Sequence, residues 1–417
     1  MRDTGDQAPP RRVDVAGLAP YALTIGAVLL AWQIAIQPLI QRAPVETAIR
    51  IAPSSPQLLG RAAEAEYVAG RYENAAILGR TALARSPFYV KALRVIGLTE
   101  ARAGRADQAD EMLTLAGNWS LRDDPAHAWL VEHRLRQGDY ASSFAHADTL
   151  ARRRPDIQPQ VFRLFTTAAA HDPQRALPVI VRLMASGTPW RGDYFRNLNA
   201  TLEGLQVSAT IATMLQATRS PTTNEELEPL YLSLLANGQI DAVKTLRARL
   251  NRPPVGDHVA NGEFDHPNMP EPFQWIPIQK AGATAAVMPD DSGRPGSALR
   301  VEYDGYSAAT IVRQRIFLSP GAYSFRANSR IESGEPAGRL AWTVKCLADQ
   351  RSLLDVPAVP DARSRADGWS PTSGAFSVPA GCPDQWLELQ GLALDSRALM
   401  VVWFDRISVA AVDLATD

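Results

Sequence analysis

Ala69-Gly70-Arg71-Tyr72, Ala103-Gly104-Arg105-Ala106 and Gln137-Gly138-Asp139-Tyr140 place three glycines 34 residues apart. Pro53 and Pro87 keep the same interval, and Pro155 returns two intervals after Pro87. A fixed period of this length marks stacked repeats. Each glycine ends an apolar-periodic run (Leu58-Leu59-Ala62-Ala63, Leu93-Ile96-Gly97, Trp129-Leu130-Leu135) and precedes another. Glycine just past a helix end tolerates the left-handed backbone that other residues avoid, so each unit is predicted to be a helix hairpin.

These residues resemble the tetratricopeptide repeat family, whose units carry small residues where paired helices touch and a proline closing the second helix. Gly97, Ala75, Ala109, Ala82, Ala116, Pro87 and Pro155 match those positions across residues 53–155. Leu59, Leu93 and His127 stand where the family prefers aromatics, and Leu121 replaces a closing proline, as in a degenerate middle copy. The resemblance implies a solenoid whose concave surface takes a partner's helix or extended peptide, or which acts as a rigid spacer.

The chain has 417 residues and a net charge of −1, with basic residues spread along it, so no nucleic-acid partner is expected. Prolines and glycines crowd the part after about residue 250 and thin out inside the repeat, which marks a change of architecture. The two cysteines, Cys346 and Cys382, both lie in the later part; a single disulfide and two buried thiols are both open readings.

Residues 1–17 read as a disordered tail, with Arg2, Arg11 and Arg12 set against Asp3, Asp6 and Asp14. No charge occurs between Asp14 and Arg42, and Leu18 to Ile36 is long enough for the roughly 20 residues of a spanning helix. Residues 18–40 are therefore expected to be an uncleaved transmembrane anchor, with Tyr21 and Trp32 near its ends as interfacial aromatics. Arg11 and Arg12 favour a cytoplasmic N-terminus against Arg42 and Arg50, giving a single-pass inner-membrane protein with a periplasmic bulk.

Beyond Pro155 three-four spacing continues at Val161-Phe162-Leu164-Phe165, Ala176-Leu177-Val179-Ile180-Leu183-Met184 and Leu227-Leu230-Tyr231-Leu234-Leu235. Residues 45–250 thus read as one solenoid, ending at Asn251-Arg252-Pro253-Pro254. The period then shifts to two: Leu299-Val301-Tyr303, Val312-Gln314-Ile316-Leu318, Tyr323-Phe325-Ala327, Leu340-Trp342-Val344-Cys346 and Leu387-Leu389. Pro/Gly turns between these runs predict an antiparallel β-sandwich of about eight to ten strands over residues 258–412.

Asn261-Gly262-Glu263-Phe264-Asp265, Pro320-Gly321-Ala322-Tyr323 and Phe404-Asp405-Arg406-Ile407-Ser408-Val409 resemble, in that order, the jelly-roll carbohydrate-binding modules of the galactose-binding-like class. In that family acidic residues near the first motif and on the last strand help hold a structural calcium ion. Glu263 and Asp405 stand at the matching places.

There is no GxSxG elbow, P-loop, HExxH or metal-spaced cysteine cluster, and the six histidines are scattered, so no enzyme is expected. Turning the apolar phase of each strand inward leaves Arg300, Glu302, Arg313, Arg315, Arg326, Asn328, Arg330, Trp386, Glu388 and Gln390 outward. Of these Trp386, Glu388, Gln390, Arg313, Arg315, Arg326 and Asn328 form the candidate sugar face: flat rings stack on sugars, and planar polar groups bond hydroxyls or carboxylates. Trp342 is in phase with the core, whereas Trp275, Trp369 and Trp403 have no assignment. The expected function is a non-catalytic, membrane-anchored scaffold presenting a glycan-binding module for polysaccharide assembly or export. The alternative is a scaffold that recruits an envelope enzyme or secretion component, with the sandwich purely structural.

Overall fold

A computed structural model describes residues 42–412 except 199–200, 251–257, 267–268, 293–294, 336–338, 361–367 and 394–396, together with Ala27 and Ala31. The anchor expected over 18–40 and the tail before it lie outside the described residues, apart from those two alanines. Among the described residues no helix is long and apolar enough to cross a membrane. The chain divides into two compact units, Met1–Leu150 and Ala151–Asp417.

In the first unit a short helix α1 (Val45–Ile51) precedes hairpins α2/α3 (Pro56–Val68, Tyr72–Arg85) and α4/α5 (Val90–Arg102, Ala106–Trp119). A third hairpin, α6/α7 (Asp124–Arg136, Tyr140–Arg153), runs across the division between the units. The three turns share one geometry. Gly70, Gly104 and Gly138 have φ of 77°, 78° and 71°. The next residue's N–H returns to the carbonyl five positions back: Arg71 to Glu66 (2.9 Å), Arg105 to Glu100 (3.0 Å) and Asp139 to Arg134 (2.9 Å). This is the Schellman closure that a C′ glycine permits. Ala75, Ala82, Ala109 and Ala116 are fully buried, and a Cβ on Gly97 would stand 2.7 Å from Leu113 Cγ, so the small residues are where helices touch. Arg94, buried on α4, ties neighbouring repeats by holding Glu64 at 2.5 Å and Asp123 at 3.1 Å. Asp123 in turn caps α6 through the Ala126 N–H.

The second unit continues with α8 (Gln158–His171), α9 (Pro173–Ala185), α10 (Arg191–Arg196), α11 (Leu202–Gln216), α12 (Asn224–Ala236) and α13 (Ile240–Leu250). Gly238 repeats the turn once more, with φ 69° and Gln239 N–H on Leu234 O at 2.9 Å. Arg191 gathers the irregular middle of this stretch, donating to Ser220 O (2.9 Å), Ser220 Oγ (2.7 Å), Pro221 O (2.9 Å) and Glu226 (2.8 Å).

The unit boundary therefore falls at 150/151 and not at the proline-rich segment near 251. The reason lies in the last helices: Tyr231 packs edge-on to Phe273 at 5.0 Å, and Glu228 accepts from the Glu271 N–H. These contacts join the helices after 151 to the β region.

That region is a sandwich of two five-stranded antiparallel sheets. One runs β1-β4-β9-β6-β7 (Ile276–Pro277, Ala309–Ile316, Gln385–Gly391, Leu340–Cys346, Ser352–Pro357). The other runs β2-β3-β10-β5-β8 (Ala283–Pro289, Ser297–Tyr303, Met400–Ala411, Gly321–Ser333, Ser370–Val378). Leu299, Val301, Val312, Phe325, Trp342, Val344, Leu387, Leu389 and Phe404 fill the space between them. Gln314 shares that inward phase because its amide bonds the backbone of Ala260 in both directions (2.8 Å each) and Phe273 O at 3.0 Å. The opening and closing motifs meet. Ile407 N–H bonds Gly262 O at 3.0 Å, and a Cβ on Gly262 would lie 1.9 Å from Ile407 O. Cys346 and Cys382 are disulfide-bonded, with Cα atoms 5.6 Å apart.

Candidate functional site

The structure splits the candidate sugar face between two sheets. Arg313 and Arg315 on β4 and Trp386, Glu388 and Gln390 on β9 lie together on the outer side of the first sheet, where Thr343 and Lys345 of β6 join them. Arg326 and Asn328 lie on β5, outside the second sheet, and do not belong to the same surface. Consecutive strands β4 and β5 enter opposite layers, which alternation alone cannot reveal.

On the second sheet Arg326 is exposed, whereas the outward Arg300 and Arg330 are already paired. Arg300 holds Glu302 (2.5 Å) and Glu332 (2.9 Å), and Arg330 holds Asp290 (3.4 Å) and Asp291. Between the two guanidinium groups sits Trp403, 5.9 Å from Arg300 and 5.1 Å from Arg330, with its indole N–H on Glu332 at 2.7 Å. Trp369 lies 5.6 Å under Arg330 and completes a small cluster with Trp403 and Ala298. Arg300, and then Trp403, hold the Glu332 carboxyl down to about 2. The charges of Arg300 and Arg330 are thus answered on this surface, although Arg330 Nε is buried without a hydrogen-bond partner among the described residues.

The first sheet differs. Register sets Arg315, Trp386 and Lys345 in one row and Arg313, Glu388 and Thr343 in the next. Neighbouring strands stand ~4.8 Å apart and alternate residues ~6.7 Å, so this patch spans roughly 10 by 13 Å. Arg315 Nε donates to Asp384 at 3.1 Å, Lys345 to Glu388 at 3.0 Å, and Gln390 bridges Glu388 (2.6 Å) and Thr310 (3.0 Å). The Arg313 side chain has no hydrogen bond or ion pair among the described residues. Its guanidinium stacks 4.2 Å from the half-buried Trp386 ring, and its Nε is buried without a partner. Thr343 Oγ1, 5% exposed at the residue level, is likewise unsatisfied among the described residues. One aromatic ring, one uncommitted cation and one unsatisfied hydroxyl thus converge on β4, β9 and β6.

The residues proposed for calcium do not fit it. Glu263 is exposed, Asp405 accepts the Arg406 N–H at 2.7 Å, and the Arg406 guanidinium stands 3.9 Å from the same carboxylate. Calcium takes six to eight oxygen ligands. Among the described residues no group of three or more His, Cys, Asp or Glu could hold a metal ion.

Sequence reading missed a pair in the repeat. His127 and His146, 19 positions apart, meet with their Nδ1 atoms at 2.9 Å. Burial, followed by the neighbouring His127 and Arg134, pushes His146 down to about 4. The folded repeat thus keeps His146 neutral between that value and the ordinary ~6.5, while the unfolded chain takes up a proton. Stability from this group is complete above about pH 6.5 and falls as the pH drops toward 4. Amide protection factors over residues 124–149, taken relative to the intrinsic exchange rate at each pH, are expected to fall across that interval, and His146→Gln to remove most of the change. An unchanged profile in the variant would assign the acid sensitivity elsewhere.

No family model matches the chain, and no curated protein matches it. Among solved structures, the helical part is similar to YrrB, a tetratricopeptide repeat protein with an unusual peptide-binding site (9% identity, 51% of this chain and 94% of that one, TM-score 0.29). The β region is similar to the CBM22-1 xylan-binding domain of Paenibacillus barcinonensis Xyn10C (12% identity, 34% and 88%, TM-score 0.26). It is also similar to TmCBM61, solved with β-1,4-galactotriose (14% identity, 37% and 99%, TM-score 0.26). At these TM-scores the likenesses carry no argument about what this chain binds, which rests on its own side chains.

Proposed function

We propose that the outer face of the β1-β4-β9-β6-β7 sheet binds a glycan, and that the helical repeat presents this module from a membrane anchor in residues 18–40. The observation that carries the reading is Arg313: a guanidinium held against Trp386 with no hydrogen bond or ion pair among the described residues. A saccharide laid along β9 would stack on the indole, accept from Arg313 and donate to the Gln390 side-chain carbonyl. Aromatic stacking supplies affinity, and the planar polar groups fix orientation. The protein acts without catalysis, on the non-cytoplasmic side of the membrane, in assembly or export of a polysaccharide. Its disulfide supports an oxidising compartment.

The test is calorimetry or affinity electrophoresis of the full chain against neutral and acidic soluble polysaccharides. Trp386→Ala is expected to weaken binding by about tenfold or more, and Arg313→Gln by a similar factor. Retention of full binding by both variants, or no binding of any polysaccharide, would sink the reading.

A second reading is favoured by the repeat itself. Phe88 (77% exposed) and Trp119 (44%) meet with ring centroids 5.3 Å apart and planes tilted by 51°, and Leu121 is exposed as well. A cleft of about 450 Å3 between α3 and α4 is lined by Tyr72, Ile77, Arg80, Glu100 and Arg105. Exposed apolar patches of this kind mark docking surfaces. In this reading the repeat recruits a protein partner and the sandwich is structural; a crosslinked partner that persists in Trp386→Ala but is lost in Phe88→Ser would favour it.

A further inference from the structure

A second cavity lies where α13 closes on the sandwich, in the unit that contains both. It measures about 220 Å3, room for about seven water-sized groups, and is lined by Lys244, Arg247, His258, Phe273, Phe317 and Ser319. Its chemistry is one-sided, because among the described residues two cations line it and no carboxylate does. Arg247 stacks 4.1 Å over the Phe273 ring, and its Nε is buried with no hydrogen-bond partner among the described residues. No ion pair to Arg247 occurs among them either. Lys244 is only 4.0 Å from Asp241, a side chain 99% exposed, so its charge is weakly engaged. The floor is rigid: Phe273 is braced edge-on by Tyr231 (5.0 Å, 86°) and by Phe317 (5.8 Å, 71°).

A partly buried guanidinium loses hydration that a ring face replaces only in part. Burial accordingly pushes the Arg247 pKa down, with the Tyr231 phenol as the one opposing influence. The position holds a cation with no carboxylate partner among the described residues. We infer that this pocket binds an organic anion, its carboxylate or phosphate group held by Arg247 and Lys244 and its planar or apolar body against Phe273 and Phe317. The Ser319 hydroxyl lies at the exposed mouth. Guanidinium and ammonium donors suit either anion, and the aromatic walls select a ligand with a hydrophobic body over a bare inorganic ion. This inference does not depend on glycan binding at Trp386.

The experiment titrates the full chain with benzoate, phenyl phosphate and glucuronate, with benzyl alcohol as the uncharged probe, up to about 10 mM. Saturable binding of at least one anion is expected, weakening as salt is raised, with no binding of benzyl alcohol. Comparing benzoate with phenyl phosphate separates carboxylate from phosphate preference. Arg247→Gln should weaken binding about tenfold or more, Ser319→Trp should block the mouth, and Trp386→Ala should leave the affinity unchanged. Ser319 offers a safeguard against misfolding, since its side chain is exposed and the bond made there, from Tyr323 Oη, is to its backbone carbonyl. The inference is overturned if no anion binds saturably, or if Ser319→Trp binds as the parent chain does.

Discussion

Replacing Trp342 by alanine is expected to destabilise the sandwich by about 3–5 kcal/mol, the range for removing a large buried ring from a close-packed core. Trp342 is 0% exposed, and its ring lies 5.5 Å from Phe404, 5.9 Å from Phe325 and 6.0 Å from Trp275. Those neighbours come from the opposite sheet, on β5 and β10, and from the segment before β1, so they cannot collapse together into the space left behind. The indole N–H has no partner among the described residues. The loss is therefore one of packing, and the conservative Trp342→Phe should cost much less, about 1.5 kcal/mol or under, because it retains a ring and removes a buried unsatisfied donor. Denaturant unfolding of the two variants, followed by amide exchange in β5, β6 and β10, measures the difference. A drop below about 1 kcal/mol for the alanine variant would mean that the core repacks.

How much of this was visible in advance depends on the distance over which each feature is encoded. The repeat was legible because Gly70, Gly104 and Gly138 each report a local backbone requirement, φ near 75°, inside a fixed period. Helix α11 was not, because its buried side carries Ser208 and Ala212 between Leu205, Ile211 and Leu215, which blunts the apolar periodicity. Strand phase was legible: Arg313 and Arg315 point away from the core that Val312 and Ile316 enter. Sheet membership was not, since β4 pairs with β9 some 75 residues later while β5 goes to the other layer. The separation of Arg313 from Arg300 and Arg330 is of the same kind. All three read as outward arginines, and only the fold brings Glu332 to Arg300 and leaves Arg313 against Trp386 with no ion pair among the described residues. Trp403 has the outward phase of β10 yet is 3% exposed, because guanidinium groups and Trp369 cover it. Alternation predicts direction, and neighbours decide exposure.

Serine at both Cys346 and Cys382 is expected to lower stability by about 4 kcal/mol, the chain-entropy value for releasing a loop closed over their sequence separation of 36. The effect belongs to the unfolded chain. In the folded state β6 and β9 are already neighbours, with Cys346 opposite Gln385, and Gln385 fastens the loop by donating to Cys382 O at 2.6 Å. Both cysteines are 1% exposed, so the cross-link adds little order to a corner that hydrogen bonds and packing already hold. Reductant should therefore leave the native sandwich in place under mild conditions and shift its denaturation midpoint by the same amount as the double substitution. The comparison also bears on location, because a bond of this kind persists in oxidising compartments and is kept open in reducing ones. If the double variant and the reduced protein both unfold within about 1 kcal/mol of the oxidised chain, the cross-link has no thermodynamic role, and the argument for an exported sandwich loses its chemical support.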